Sequence, residues 1–146
     1  MLSKGGYTGR MAIPDSHDDA DVPSHQAGAS VVAISAVTLV TADMERAVRF
    51  YEALGFRRTY GGAQASFTSF AVGGNYLNLM VKTTATPVSA WGRIIFHVSD
   101  VDAFYKRAIG AGLSPQFPPR DAEWGERYFH LSDPDGHDLS FARPLL

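Results

Sequence analysis

The spacing of apolar positions along the chain changes from a strand period to a helical one, and later in the chain it does so again. VVAISAVTLV, residues 31–40, is β-branched and apolar and predicts a strand. Beyond it Met44, Ala47, Val48, Tyr51 and Leu54 recur at helical spacing. Asp43 stands where a carboxylate caps a helix N-terminus, and Gly55 where a left-handed residue ends one. In the second half RIIFHVS, residues 93–99, again predicts a strand, and Asp100 begins a second helix. Val101, Phe104, Tyr105, Ala108 and Ala111 form its apolar stripe, and Gly112 closes it. One offset of 57 superimposes both helices with their caps and the strands before them. The chain uses one unit twice.

Strand-like segments follow each helix. The first set lies near 56–60, 66–72 and 75–82, punctuated by GG at 61–62 and 73–74. The second lies near 113–117, 126–132 and 137–142, with DPDG turning the last pair. The order predicts an α+β fold of two βαβββ modules, residues 34–82 and 93–142, joined by TTATPVSAWG. Such modules are expected to form a curved mixed sheet around a cleft, with helices on the outer face.

Composition narrows the function classes. The 146 residues are one domain's worth of chain, 45% apolar and 19% charged, as in ordinary globular proteins. The absence of cysteine excludes disulfides, thiolate nucleophiles and zinc–thiolate sites, and with no readable signal peptide the expected location is cytoplasmic. A net charge of −2 offers no footprint for nucleic acid, and no apolar run is long enough for a membrane span. That charge is concentrated in residues 1–30, where Lys4 and Arg10 face Asp15, Asp18, Asp19 and Asp21. This leader shows no helical or strand period and is expected to be a flexible tail before a domain at 31–146. His17, Asp18, Asp19, Asp21 and His25 within it have no spacing that fixes a metal geometry. Phosphate-loop, dinucleotide and serine-nucleophile motifs are absent as well.

The repeat, the helix end FYEALGF and the final WGERYFHLSDPDGHDLSF together resemble the vicinal oxygen chelate superfamily. That group includes glyoxalase I, bleomycin-resistance proteins and extradiol dioxygenases. The resemblance covers roughly residues 33–143 and implies a pocket enclosed by the two modules, commonly in a homodimer. Its metalloenzymes draw ligands from four strand positions, which fall here on Ala36, Asn78, Arg93 and Ser140. Ala36 has no donor atom and Arg93 is permanently cationic. Asn78 and Ser140 are weak neutral oxygens, unsuited to a transition metal without histidine or carboxylate beside them. The resemblance therefore points to a member without the usual metal, and no cofactor is expected.

Strand alternation then extends the cleft face outward from those four positions. It holds Ala36, Thr38, Val40, Tyr76, Asn78, Met80, Arg93, Ile95, His97, Tyr128, His130, Asp138 and Ser140. The opposite faces carry Val37, Leu39, Leu77, Leu79, Ile94, Phe96, Val98, Phe129, Leu131, Leu139 and Phe141, which should pack under the helices. Thr38, Tyr76, Asn78, Arg93, Trp124, Tyr128, Asp138 and Ser140 are the candidate ligand-binding residues. His97 and His130 are candidate acid–base groups. Arg93 could grip an anion bidentately or pair with Asp138 as a structural ion pair, and the aromatic side chains could stack a ligand or simply fill space. Three functions fit: metal-free sequestration of a small aromatic or anionic molecule, an enzyme with a displaced metal site of His97, His130 and Asp138, or a metal-independent enzyme with His97 or His130 as acid–base group and Arg93 holding the anion. Either enzyme would be of lyase or dioxygenase type. The first needs only the mixed pocket and is the expectation carried forward.

Overall fold

The computed structural model describes residues 29–82 and 91–145. A compact unit spans Ile34–Leu146. The expected tail and most of the expected linker lie outside the described residues.

Two modules of the predicted order make up the unit. The first runs β1 (Ala36–Thr41), α1 (Met44–Ala53), β2 (Arg57–Tyr60), β3 (Phe67–Val72) and β4 (Asn75–Val81). The second runs β5 (Arg93–His97), α2 (Val101–Gly110), β6 (Arg120–Asp121), β7 (Glu126–Ser132) and β8 (Asp138–Pro144). Each forms its own four-stranded sheet, in the orders β1-β4-β3-β2 and β5-β8-β7-β6. First and last strands pair parallel, and the hairpins pair antiparallel. The sequence repeat survives into the register. Offsets of 57 and 62 carry the pair Ala36↔Tyr76 onto Arg93↔Asp138, and Thr38↔Asn78 onto Ile95↔Ser140.

Both helices begin as their sequences predict. The Asp43 carboxylate accepts from the Arg46 backbone N–H at 3.1 Å, and Asp100 accepts from Ala103 at 3.0 Å. Each satisfies a donor that the first helical turn leaves unpaired. Gly55 sits at φ 95°, and a Cβ there would meet the Arg107 guanidinium at 2.1 Å. That guanidinium donates to the Leu54 carbonyl at 2.9 Å, so an arginine of α2 ties off the end of α1.

Two strand expectations need correction. The first strand starts at Ala36 rather than Val31, and Val31 and Val32 are more than 90% exposed. Its neighbour β4 begins only at Asn75, and beyond the bond from Tyr76 N–H to the Ser35 carbonyl at 2.9 Å the residues before Ser35 have no strand opposite them. Residues 113–117 are not a strand either: the short β6 comes later, at 120–121. Gln116 donates a single bond to the His130 carbonyl. Pro115, Pro118 and Pro119 cannot donate, which keeps this segment from forming a ladder.

The two sheets bury equivalent faces in one core. Leu39, Leu77 and Leu79 from the first join Phe96, Phe129, Leu131, Leu139 and Phe141 from the second, with Ala47, Val48, Tyr51 and Leu54 of the α1 region. An aromatic series crosses it: Phe70 to Phe56 at 6.1 Å, Phe56 to Phe96 at 5.2 Å, and Phe96 to Phe141 at 5.5 Å. Edge-to-face and offset rings at these separations attract beyond their simple burial.

Polar contacts from the DPDGH turn join the modules as well. Tyr51 of α1 donates to the Asp133 carboxylate at 2.6 Å, and Asp135 accepts from Ala42 N–H and from Arg46. His137 is buried between Trp91, whose indole N–H reaches Nδ1 at 2.8 Å, and the Val40 carbonyl, 2.8 Å from Nε2. A donor on one nitrogen and an acceptor at the other require the neutral tautomer carrying its proton on Nε2. The sequence marks this stretch only as a turn; its role in joining the modules arises from residues some 90 positions away.

Candidate functional site

Strand alternation predicts which side chains leave the core, and many do, although Tyr128 and Ser140 of the expected cleft face are buried. The helix-side set packs into the shared core, while Arg93, Ile95, His97, Tyr76 and Met80 are exposed on the opposite faces. Those faces remain open in one chain, with Tyr76 at 49% exposure and Ile95 at 46%.

The face of the first sheet carries a polar row between apolar neighbours. Ser69 donates to the Asn78 carbonyl oxygen at 2.7 Å, and the Asn78 amide donates to Thr38 at 3.2 Å. Tyr76 lies to one side of this row, Met80 and Phe67 to the other, by strand register.

The face of the second sheet is richer in chemistry. Strand register places Arg93 opposite Asp138, Ser140 between Ile95 and His130, and Ala142 between His97 and Tyr128. Tyr128 is buried, and its ring contacts Trp124 at 5.3 Å, His130 at 5.1 Å and Phe117 at 5.5 Å. Phe117 also meets His130 at 5.2 Å, so four rings form a continuous floor. Arg120 lies over Phe117, 3.7 Å from its centroid, and donates to the Tyr128 hydroxyl at 3.3 Å. Such a cation–π contact presets the guanidinium.

Glu126 begins β7 with its side chain only 4% exposed, and His97 Nε2 and the Trp124 indole N–H approach its carboxylate at 3.0 and 3.2 Å. The carboxylate accepts, so His97 donates from Nε2 and keeps Nδ1 for another partner. His130 is different. Burial, then the Arg93 charge, lowers its pKa to about 4; Asp138 opposes this and Arg120 adds to it. At neutral pH it is an uncharged imidazole between cations.

Of the candidate site residues, the structure gathers Arg93, Trp124, Tyr128, His130, Asp138, Ser140 and His97 on one face. Thr38, Tyr76 and Asn78 lie on the other sheet. Arg93 does not pair with Asp138: among the described residues it has no ion-pair partner, and Asp138 instead accepts weakly from Ser132 at 3.4 Å. His97, His130 and Asp138 are not gathered as a displaced metal site would need, since each lies in a different row of the sheet. Among the described residues no three His, Asp or Glu side chains form such a group. Asn78 is engaged by Thr38 and Ser69, and Arg93 projects a cation, so the usual ligand positions do not suit a divalent ion.

Sequence reasoning missed Glu126, Phe117 and Arg120. Glu126 was accessible, because it alternates with Tyr128. Arg120 was not, since β6 is two residues long and follows a proline pair. Two further hollows differ in lining, and the second includes the cleft-face residues Ala36, Tyr76 and Ile95. One of about 620 Å³ borders Asp100, Asp102, Arg127 and Arg143, and a narrow apolar groove of about 200 Å³ lies where β1 and β4 approach β5.

Paired βαβββ modules, each with an open, mixed sheet face, define the class of fold. The chain belongs to the Glyoxalase/Bleomycin resistance protein/Dioxygenase superfamily, whose model matches residues 33–141. Over 63 residues it is 40% identical to an uncharacterised protein of Mycobacterium bovis, a match spanning 41% of each chain. Among solved structures it is similar to TioX from Micromonospora sp. ML1, with 28% identity, a TM-score of 0.63, and coverage of 78% of this chain and 100% of that one. It shares its fold with a bleomycin-binding protein complexed with bleomycin, with 23% identity, a TM-score of 0.63, and coverage of 77% and 98%. No helix among the described residues is long and apolar enough to cross a membrane.

Proposed function

We propose that this protein binds and sequesters a small aromatic or anionic molecule without a metal, in a cleft completed by a second copy of the chain. The observation that carries this reading is the content of the four positions where relatives hold a metal. They bear Ala36, Asn78, Arg93 and Ser140, and Asn78 is already engaged in a hydrogen-bonded row. What replaces metal ligands is a receptor surface of arginine, neutral histidine and stacked rings. Binding of bleomycin by a protein of the same fold supports the mode, not the ligand.

The dimer is supported by exposure. Tyr76, Met80 and Ile95 leave apolar surface open on faces that a single chain does not close. A second copy related by a twofold axis would place a first-module face against a second-module face twice over. The test is native mass spectrometry with elemental analysis on protein purified without chelator. A dimer mass carrying a small organic adduct and no stoichiometric metal is expected; a stoichiometric metal or a monomer at micromolar concentration overturns the reading.

One observation favours a second reading, metal-independent acid–base catalysis. The Glu126 carboxylate fixes His97 with Nδ1 available as a base, an arrangement that a passive binder does not require.

A further inference from the structure

β1 is the end strand of its sheet, so one side of its backbone must find partners outside the ladder with β4. Side chains of the DPDGH turn supply them. Asp135 accepts from the Ala42 N–H at 3.0 Å, and the buried His137 donates from Nε2 to the Val40 carbonyl at 2.8 Å. The other ring nitrogen of His137 accepts from the Trp91 indole at 2.8 Å, and the two rings meet edge to face at 5.7 Å. Trp91 is half-exposed. Gly92 separates it from Arg93 at the start of β5, with φ at 151° and open space where a Cβ would stand. One imidazole therefore holds β1 by donating and Trp91 by accepting.

We propose that His137 is a proton-operated latch: neutral, it holds Trp91 at the junction of the modules, and on taking a second proton it releases Trp91 while keeping β1. The inference is independent of the sequestration reading. Nε2 carries its proton in both states, so the bond to Val40 survives. Nδ1 gives its lone pair to the incoming proton, and the new N–H then faces the indole N–H, donor against donor. A buried imidazolium also requires an acceptor at Nδ1, which water can supply only where Trp91 gives way. The charged and titratable groups about the ring are Asp133 and Asp135 on its own turn, with Arg46 and Tyr51 on α1. β1 brings Val40 and Thr41, which carry no charge. Asp133 attracts the imidazolium, but its oxygens are committed to the Asp135 and His137 backbone N–H groups and the Tyr51 hydroxyl, so it does not take the place of Trp91 as partner to Nδ1. Gly92 is the pivot, and its freedom at positive φ lets Trp91 swing away from the start of β5, where Arg93 stands on the open face.

The experiment is heteronuclear magnetic resonance of the isotope-labelled full chain, titrated from about pH 7.5 to about pH 5. The chain has two tryptophans, and Trp91→Phe assigns their indole N–H signals. As His137 charges, the Trp91 indole signal is expected to move with the same midpoint as the His137 ring nitrogens, and its exchange with water to accelerate by about tenfold or more. The Gly92 amide should become more mobile over the same range. The Ala42 amide should stay protected, because its bond to Asp135 does not involve Nδ1. His137→Gln keeps a donor and an acceptor but takes no proton, and should abolish the movement of the Trp91 signal. Should that variant not fold, the coincidence of midpoints in the native chain decides alone. A Trp91 signal that stays fixed while His137 charges, charging of His137 only together with loss of Ala42 protection, or a full response in His137→Gln overturns the proposal.

Discussion

Arg93 and His130 show how far neighbouring residues can set each other's chemistry. After burial, the Arg93 charge is the largest influence holding His130 down to about 4. Nuclear magnetic resonance titration should therefore find the His130 imidazole uncharged down to about pH 5, and Arg93→Met should move its midpoint upward. The stability consequence has a definite sign. A histidine whose folded pKa lies below its unfolded value near 6.5 costs nothing above that pH, because both states are neutral. As pH falls from about 6.5 toward 4, the unfolded chain takes up the proton first and stability declines. Discounted for partial solvent access, the loss is on the order of 1–2 kcal/mol, measurable by urea denaturation across that window. Arg93→Met itself should change stability at pH 7.5 by less than about 0.5 kcal/mol, because the side chain is exposed and has no ion-pair partner among the described residues.

Among the elements, the two helices are a natural experiment in redundancy. Asp43 and Asp100 cap them in matching geometry, with φ near −150° and one backbone N–H accepted by each. Asp43→Ala and Asp100→Ala should each cost about 1 kcal/mol in chemical denaturation, and together about 2, since the caps lie on different modules and share no partner. A marked excess over the sum would show that the helices are coupled through the core contacts between the modules. The strands are less alike than the helices. β6 has only two residues where its counterpart β2 has four, because prolines remove donors from the segment before it. That shortened edge brings Arg120 and Phe117 beside Tyr128 and His130.

At the scale of the molecule, the DPDGH turn joins the modules through hydrogen bonds in addition to the apolar contacts that cross between them. Burial and the neighbouring Asp133 keep the Tyr51 hydroxyl protonated far above neutrality, so it remains a donor. Burial raises Asp133 while the Tyr51 hydrogen bond opposes the rise. Tyr51→Phe removes the donor and leaves a buried carboxylate oxygen short of a partner, which should lower stability by about 1–3 kcal/mol. Thermal or urea unfolding measures it, and an unchanged midpoint would show that the turn does not bind the modules.

The sequence alone determined what depends on local periodicity. The doubled helix pattern with its Asp and Gly ends, the βαβββ order, and the alternation separating Leu39, Leu77, Phe96 and Leu139 from Thr38, Asn78, Arg93 and Ser140 were all legible, because helix and strand periods are geometric constants of the backbone. The offsets of 57 and 62 even carried the pairing register. Tertiary structure decided what depends on distant neighbours. Residues 31–34 are strand-like in composition but have no strand opposite them. His137 reads as an ordinary hairpin residue until Trp91 and Val40 close on it from far along the chain. Arg120 and Phe117 joined that face, and Arg93 was separated from Asp138, through side-chain placements that no period encodes. Only the packing of both sheets into one core left their other faces open to solvent, because an apolar face must be buried while a mixed one can remain in water.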